Sequence, residues 1–173
     1  MLKFQSDPLP IYPGALANRS KSVISYHKFA IMRSVSAVLS RKGAIAISVP
    51  PSTSVADALK IMAERNIGSV VVMENEQYLG IMTERDYSRK VILKGRNSND
   101  TTVAEIMSDD LPSVKPSDTI DHCMQLMTNK NIRYMPVFDN NRLAGIISMS
   151  DVVKETILAQ KETIDHLHNY IQS

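Results

Sequence analysis

The chain has 173 residues, with 20 lysines and arginines against 18 aspartates and glutamates for a formal net charge of +2, so no broad basic field exists for nonspecific nucleic-acid binding. Hydrophobic residues at 43% and charged residues at 22% describe a folding globular chain and exclude disordered and collagen-like classes. Cys123 is the only cysteine, which excludes an internal disulfide and any CxxC metal or redox motif, and the longest run without a charge, Gly43 to Ala56, is 14 residues where a membrane helix needs roughly 20.

Residues 1–33 hold Pro8, Pro10 and Pro13, five basic residues and one acid. They are expected to form an extended arm. Scarce acids with scattered Arg, Lys and Ser resemble a mitochondrial transit peptide, but the prolines break a long amphipathic helix. Cytoplasmic location is therefore the expectation, with the mitochondrial matrix as the alternative if this arm is a transit peptide. Met32, directly before the next helical segment, offers a second reading as a start.

From Ser34 to Leu39 the pattern is helical, and a similar short segment, Thr102 to Met107, stands further on. Between and after them the chain repeats itself: residues 48–86 match residues 113–151 at a constant offset of 65, with 12 of 39 positions identical. Each copy begins with an extended segment running into Pro51 or Pro116, because the residue before proline is driven out of helical space. A helix follows, with Val55, Ala58, Leu59 and Met62 in one copy and Ile120, Cys123, Met124 and Met127 in the other at the i, i+3, i+4, i+7 spacing of one buried face. Ser54 is its predicted N-cap, with Asp57 at the capping-box position.

Two strands come next in each copy. Val70–Met73 and Met135–Phe138 lead into hairpin turns at Glu74-Asn75-Glu76 and Asp139-Asn140-Asn141. The return strands, Tyr78–Met82 and Leu143–Ser148, carry Gly80 and Gly145, where a missing Cβ permits close backbone approach. Pro136 is expected at an edge or bulge. Helices close the copies, from about Glu84 to Leu93 and from about Ser150 to the chain end. The fold class is therefore α+β: two β-α-β-β-α repeats sharing one core about a pseudo-twofold axis, with a long C-terminal helix. In chain order the division is an arm at 1–33, a first repeat with linker at 34–101, a second repeat at 102–160, and the end of the last helix at 161–173.

The duplicated unit, with GIMTERD at Gly80–Asp86 and GIISMSD at Gly145–Asp151, resembles the cystathionine-β-synthase (CBS) domain pair, also called a Bateman module, over about residues 34–160. The TERDYSRKVILKGR stretch and the closing LHNYIQS resemble small stand-alone CBS-pair proteins of bacteria and plant organelles. This resemblance implies a non-catalytic binding module holding an adenosine compound (AMP, ATP, NAD or S-adenosylmethionine) between the copies, and it implies a homodimer.

Thr83 and Ser148 fall at strand-to-helix junctions, where backbone N–H groups and the helix dipole favour a phosphate. Three residues on, Asp86 and Asp151 are placed to accept from ribose hydroxyls. Equally, the hydroxyls read as N-caps and the carboxylates as first-turn stabilisers. Arg85 and Arg89 share a helix face and, with Lys90, Lys94 and Arg96, form the densest cationic stretch, either a phosphate clamp or a solvated face in which Asp86 pairs with Lys90.

By the same resemblance, Arg133 stands where family members place a phosphate-contacting base. Tyr134 and Met135, with Val49, Val114, Ile67 and Ile132, would line an adenine slot, and Pro136 is counted with that strand. Arg133 is matched by Gly68 in the first copy, so the two clefts should differ in phosphate affinity. Lys115 is expected in solvent, and Cys123 in packing rather than as a reactive thiol. His166 and His168 are splayed by about 200 degrees on a helix, and His27 and His122 have no ligand set around them, so no metal site is expected. No nucleotide-loop or hydrolase motif such as GxGxxG, HExxH or GxSxG occurs, and an enzyme is not expected.

Val153, Ile157, Gln160, Ile164, Leu167 and Ile171 follow alternating steps of four and three, a short heptad seam for a partner or for the domain itself. The function expected is a regulatory adenine-nucleotide sensor acting on a regulated protein, or alternatively a ligand-free dimer platform for protein interaction. Neither nucleic acid nor membrane is an expected partner.

Overall fold

The computed structural model describes residues 34–43 and 46–171; the readings of the N-terminal arm, of His27 and of Met32 lie outside the described residues. In chain order the elements are α1 (Val35–Lys42), β1 (Ser48–Val49), α2 (Val55–Arg65), β2 (Ser69–Glu74), β3 (Gln77–Thr83), α3 (Glu84–Lys90), 3₁₀ turns at Ile92–Lys94 and Val103–Glu105, α4 (Ile120–Lys130), β4 (Tyr134–Asp139), β5 (Arg142–Ser148) and α5 (Met149–Ile171). This is the expected α+β tandem architecture with a long final helix.

Local chemistry repeats along with the sequence. Ser54 caps α2 by accepting from the Asp57 amide, and Thr119 caps α4 by accepting from the His122 amide. Both helices end on an asparagine in left-handed conformation, Asn66 and Asn131, a residue type that tolerates that region. Each bears its buried stripe inward: Val55, Ala58 and Met62 on α2, and Ile120, Cys123 and Met127 on α4.

The hairpins are equally matched. Asn75-Glu76 and Asn140-Asn141 both have positive φ at the two central positions, the condition for a turn whose twist suits the flanking strands. Each hairpin carries a register irregularity one step before its tip, at Val72/Met73 and Val137/Phe138. Pro136 sits next to that irregularity with its carbonyl accepting from the Val114 amide, and it lacks the N–H by which the equivalent Val71 donates to the Ile47 carbonyl. β1 pairs parallel with β2, whereas its counterpart in the second copy is reduced to one parallel bridge between Val114 and Val137.

Two segments are shorter than the periodicity predicts. The helix expected to reach Leu93 stops at Lys90 and tightens into a 3₁₀ turn closed by Gly95 at φ 63°, and the segment at Thr102–Met107 is likewise a single 3₁₀ turn.

The leading segments are exchanged between repeats. α1 puts Val35, Val38 and Leu39 into the core formed by Ile120, Met127, Met135 and Ile147 of the second repeat, and the Val35 amide bonds to Asp118. Reciprocally, Val103 and Ile106 join Val55, Met62, Val70 and Met82 of the first repeat, with the Val103 amide bonding to Thr53. The bridges Ser34–Thr119 and Ser54–Thr102 mark the two exchange points. Edge-to-face packing of Tyr78 on Phe138, with centroids 5.3 Å apart, joins the hairpins.

Candidate ligand clefts between the repeats

β3 delivers Thr83 to the start of α3. There its hydroxyl accepts from the Asp86 amide at 3.1 Å, while Asp86 Oδ2 accepts from the Thr83 amide at 3.0 Å and from its hydroxyl at 2.6 Å. The arrangement is a complete capping box. Asp86 Oδ1 faces Lys90 Nζ at 2.9 Å and accepts from the Ser108 hydroxyl at 3.2 Å. Ser108 arrives because the linker crosses Gly80, exchanging hydrogen bonds with Ile81 in both directions; a Cβ on Gly80 would lie 2.7 Å from the Ser108 carbonyl oxygen.

The second copy reproduces the motif with a different occupant. Asp151 Oδ2 accepts from the Ser148 amide at 2.8 Å and hydroxyl at 2.7 Å, and also from Lys42 Nζ at 2.8 Å. Burial disfavours its charge, but Lys42 and Ser148 outweigh that and hold the carboxyl below its ordinary value.

Around these two motifs lie two clefts. The first, about 370 Å³, is lined by Thr83, Arg85, Asp86 and Arg89 from β3 and α3, and by Ile132, Arg133 and Tyr134 arriving from the other repeat. Arg85 reaches across to donate to the Asn131 carbonyl at 2.6 Å. The second, about 280 Å³, is lined by Ser148 and Asp151 with Ile67 and Gly68 from the first repeat and Lys42 from α1. Tyr134 borders both clefts, and its hydroxyl occupies the space a Cβ on Gly68 would need. Burial pushes the Tyr134 phenol above its ordinary range, with Glu84 adding to the effect.

Most of the sequence-predicted residues thus meet at a cleft, but not all. Met135 and Pro136 line neither of these clefts: both are buried, and Met135 faces the core of the second repeat. Alternation along β4 accounts for Met135, since the residue after the cleft-facing, half-buried Tyr134 points to the opposite side of the strand. Val49 and Val114 likewise belong to the two cores. Lys115 is exposed, and Arg96 is engaged by Glu105 at 2.7 Å. Burial raises the Cys123 thiol to about 11, in keeping with packing. Lys42 and Ser108 line the clefts without a local sequence signal to mark them, since both lie outside the repeated segments, and Lys130 ends α4 inside the second copy at a position no motif singles out.

Two pseudosymmetric repeats enclosing clefts, each with a hydroxyl–carboxylate pair at the end of its hairpin, define a tandem cleft-forming module. The CBS domain family model matches residues 35–92 and 103–157, and the chain belongs to the CBS-domain family. It is 40% identical over 124 residues to a mitochondrial CBS domain-containing protein of Arabidopsis thaliana, covering 69% of this chain and 60% of that protein. A putative signal-transduction protein with CBS domains from Burkholderia ambifaria superposes with a TM-score of 0.70 at 41% identity, over 72% of this chain and 94% of that one. A hexameric CBS-CP12 protein from cyanobacteria matches with a TM-score of 0.58 at 32% identity, over 64% of this chain and 62% of that one. CBS pairs are in general regulatory modules, and some assemble into oligomers.

Proposed function

We propose that this chain is a regulatory adenine-nucleotide-binding module without catalysis, in which a ligand between the repeats biases their mutual arrangement and so the surface offered to a regulated protein. Such an effect needs differential affinity for two arrangements. The observation carrying the reading is that Thr83/Asp86 and Ser148/Asp151 open onto clefts at matched positions, with Arg85, Arg89 and Arg133 added in the first. Clefts of about 370 and 280 Å³ suit a nucleotide-sized ligand. The class is an adenosine compound: AMP, ATP, NAD or S-adenosylmethionine. Its ribose would compete with Lys90 and Ser108 for Asp86, and with Lys42 for Asp151.

Isothermal titration of the full chain with AMP tests the reading. Saturable binding weakened by about 1.5–3 kcal/mol in Asp86→Ala or Asp151→Ala is expected, the range for a hydrogen bond to a charged group. Unchanged affinity in both variants would overturn it.

A ligand-free dimer platform is the second reading, favoured by the fact that both carboxylates already have protein donors. Partner capture in nucleotide-free buffer, with no heat at millimolar AMP, would favour it over the first. In either case self-association is proposed through the exposed seam of α5, where Ile157, Ile164, Leu167 and Ile171 are more than half exposed. No helix among the described residues is long and apolar enough to cross a membrane. Residues 1–33 are proposed as a mitochondrial transit peptide, a reading supported by the mitochondrial relative; fusing them to a fluorescent reporter tests the targeting.

A further inference from the structure

The carboxylates of the two clefts are occupied by different parts of the chain. In both, Oδ2 accepts from the amide and the hydroxyl of the residue three positions back, Thr83 or Ser148. Asp86 fills its Oδ1 with Lys90, four residues along the same helix, and with the Ser108 hydroxyl. Asp151 Oδ1 makes no hydrogen bond among the described residues, and the third donor on its Oδ2 is Lys42, the last residue of α1. A ribose diol addresses a carboxylate through both oxygens, one hydroxyl to each. At Asp151 one oxygen is open, and on the other only Lys42 is dispensable, because losing the Ser148 donors would unmake the turn that starts α5. At Asp86 the diol would instead displace a residue of α3 itself, and Ser108, whose backbone stays tied to Ile81 in both directions.

α1 is held on α5 by two ion pairs of unequal depth. Arg41 meets Glu155, only 4% exposed, whereas the side chains of Lys42 and Asp151 are 36% and 21% exposed. Val35, Val38 and Leu39 anchor the rest of α1 in the core of the second repeat. Gly43 follows at φ 84°, with open space where a Cβ would stand. Lys42 can therefore leave Asp151 without undocking the helix, at the small cost of a partly exposed ion pair.

We infer that Lys42 is a displaceable latch on the second cleft: a nucleoside diol engaging Asp151 releases the Lys42 ammonium, so that occupancy of this cleft, and not of the first, is reported to the end of α1, the segment that leads into the first repeat. This rests on the nucleotide reading for the identity of the ligand and adds the element that responds to it. The coupling is reciprocal, since the ligand loosens Lys42 by the same factor that Lys42 weakens the ligand.

Adenosine is the probe, because it carries the diol but no phosphate for Lys42 to attract. Calorimetric titration of the full chain is paired with acetylation of its amines by an N-hydroxysuccinimide ester, read by peptide mass spectrometry. In Lys42→Met one site should tighten about threefold to fivefold, the scale of a partly exposed ion pair; Lys42→Arg, which keeps the cation, should not tighten. In the unaltered chain saturating adenosine should speed acetylation of Lys42 severalfold and leave that of Lys154, exposed and outside both clefts, unchanged. Adenosine affinity that is unchanged or weaker in Lys42→Met, or Lys42 acetylation insensitive to bound adenosine, would overturn the inference and leave the nucleotide reading standing. Where only AMP saturates, the acetylation rate alone decides. Failure of both adenosine and AMP to bind the unaltered chain and Lys42→Met would overturn the nucleotide reading and the inference together.

Discussion

Lys90 and Glu155 occupy the same position in the two repeats and carry opposite charges, each answered by a segment from outside its own repeat motif. Lys90 donates to the Ile106 carbonyl at 2.7 Å and pairs with Asp86. Glu155, only 4% exposed, receives Arg41 of α1 at 2.6 Å. The linker offers bare carbonyls to a cation where α1 offers a guanidinium to a carboxylate, so each exchanged leading segment is matched to the sign of its receiving helix.

Swapping that sign in one repeat should therefore be costly. Glu155→Lys places a buried ammonium against Arg41 and is expected to lose about 2–3 kcal/mol, near the lower end for breaking a buried pair because Arg41 itself reaches solvent. Lys154→Glu, one residue away and exposed, should stay within about 0.5 kcal/mol. Urea denaturation of both variants measures the contrast, and similar midpoints would contradict the account.

Asp151 gives a pH signature. Its folded carboxyl lies below the ordinary value of 3.8, so its contribution to stability is present above the unfolded value and is lost as pH falls through the folded one. Lys42→Met removes one of the two groups holding it down, while burial continues to push it up. The carboxyl should then titrate at higher pH in carbon-detected NMR, and acid unfolding should begin at higher pH. An unshifted Asp151 resonance would show that Lys42 does not hold the charge in solution.

Gly80→Ala tests the crossing of the linker. The new methyl would meet the Ser108 carbonyl oxygen at 2.7 Å and Met107 Sδ at 3.2 Å, and a backbone atom fixed by two hydrogen bonds to Ile81 yields poorly. A loss of about 2 kcal/mol in thermal or urea unfolding is expected, with the Ser108–Asp86 contact disturbed as a consequence.

The last helix carries two faces with different tasks. Val152, Glu155 and Ala159 are buried on the domain, which leaves the Ile157–Ile164–Leu167 seam outward. If this seam carries the proposed self-association, Ile164→Lys should lower the mass measured by light scattering while leaving the unfolding midpoint of the repeats unchanged. A wild-type chain that is monomeric at micromolar concentration would exclude the seam as a self-association surface.

Much of the architecture was legible along the chain. The i, i+3, i+4 stripes of α2 and α4, the Ser54 cap, the Asn75 and Asn140 turns and the close approach at Gly80 all depend on residues within a few positions of one another, and each reads the same way twice. The ends of α3 and of the 3₁₀ segment were less legible, because a short apolar pattern does not distinguish a seven-residue helix from a longer one when a glycine turn follows. In the candidate site, Thr83, Asp86, Ser148 and Asp151 were visible as a duplicated motif, and Arg85, Arg89 and Arg133 as cations near it. Met135, expected at the cleft wall, packs in the core of the second repeat, because a strand's facing cannot be fixed until the sheet has a core side.

That there are two like repeats, what each is made of, and that Arg133 is matched by Gly68 all follow from residue identity at a fixed offset along the chain. Which repeat each leading segment joins, and that Lys42 rests on Asp151 from 109 residues away, emerge only from packing. Those outcomes depend on which apolar faces are buried against each other across the pseudo-twofold axis, a choice made by packing between distant segments and written in no local period of the chain.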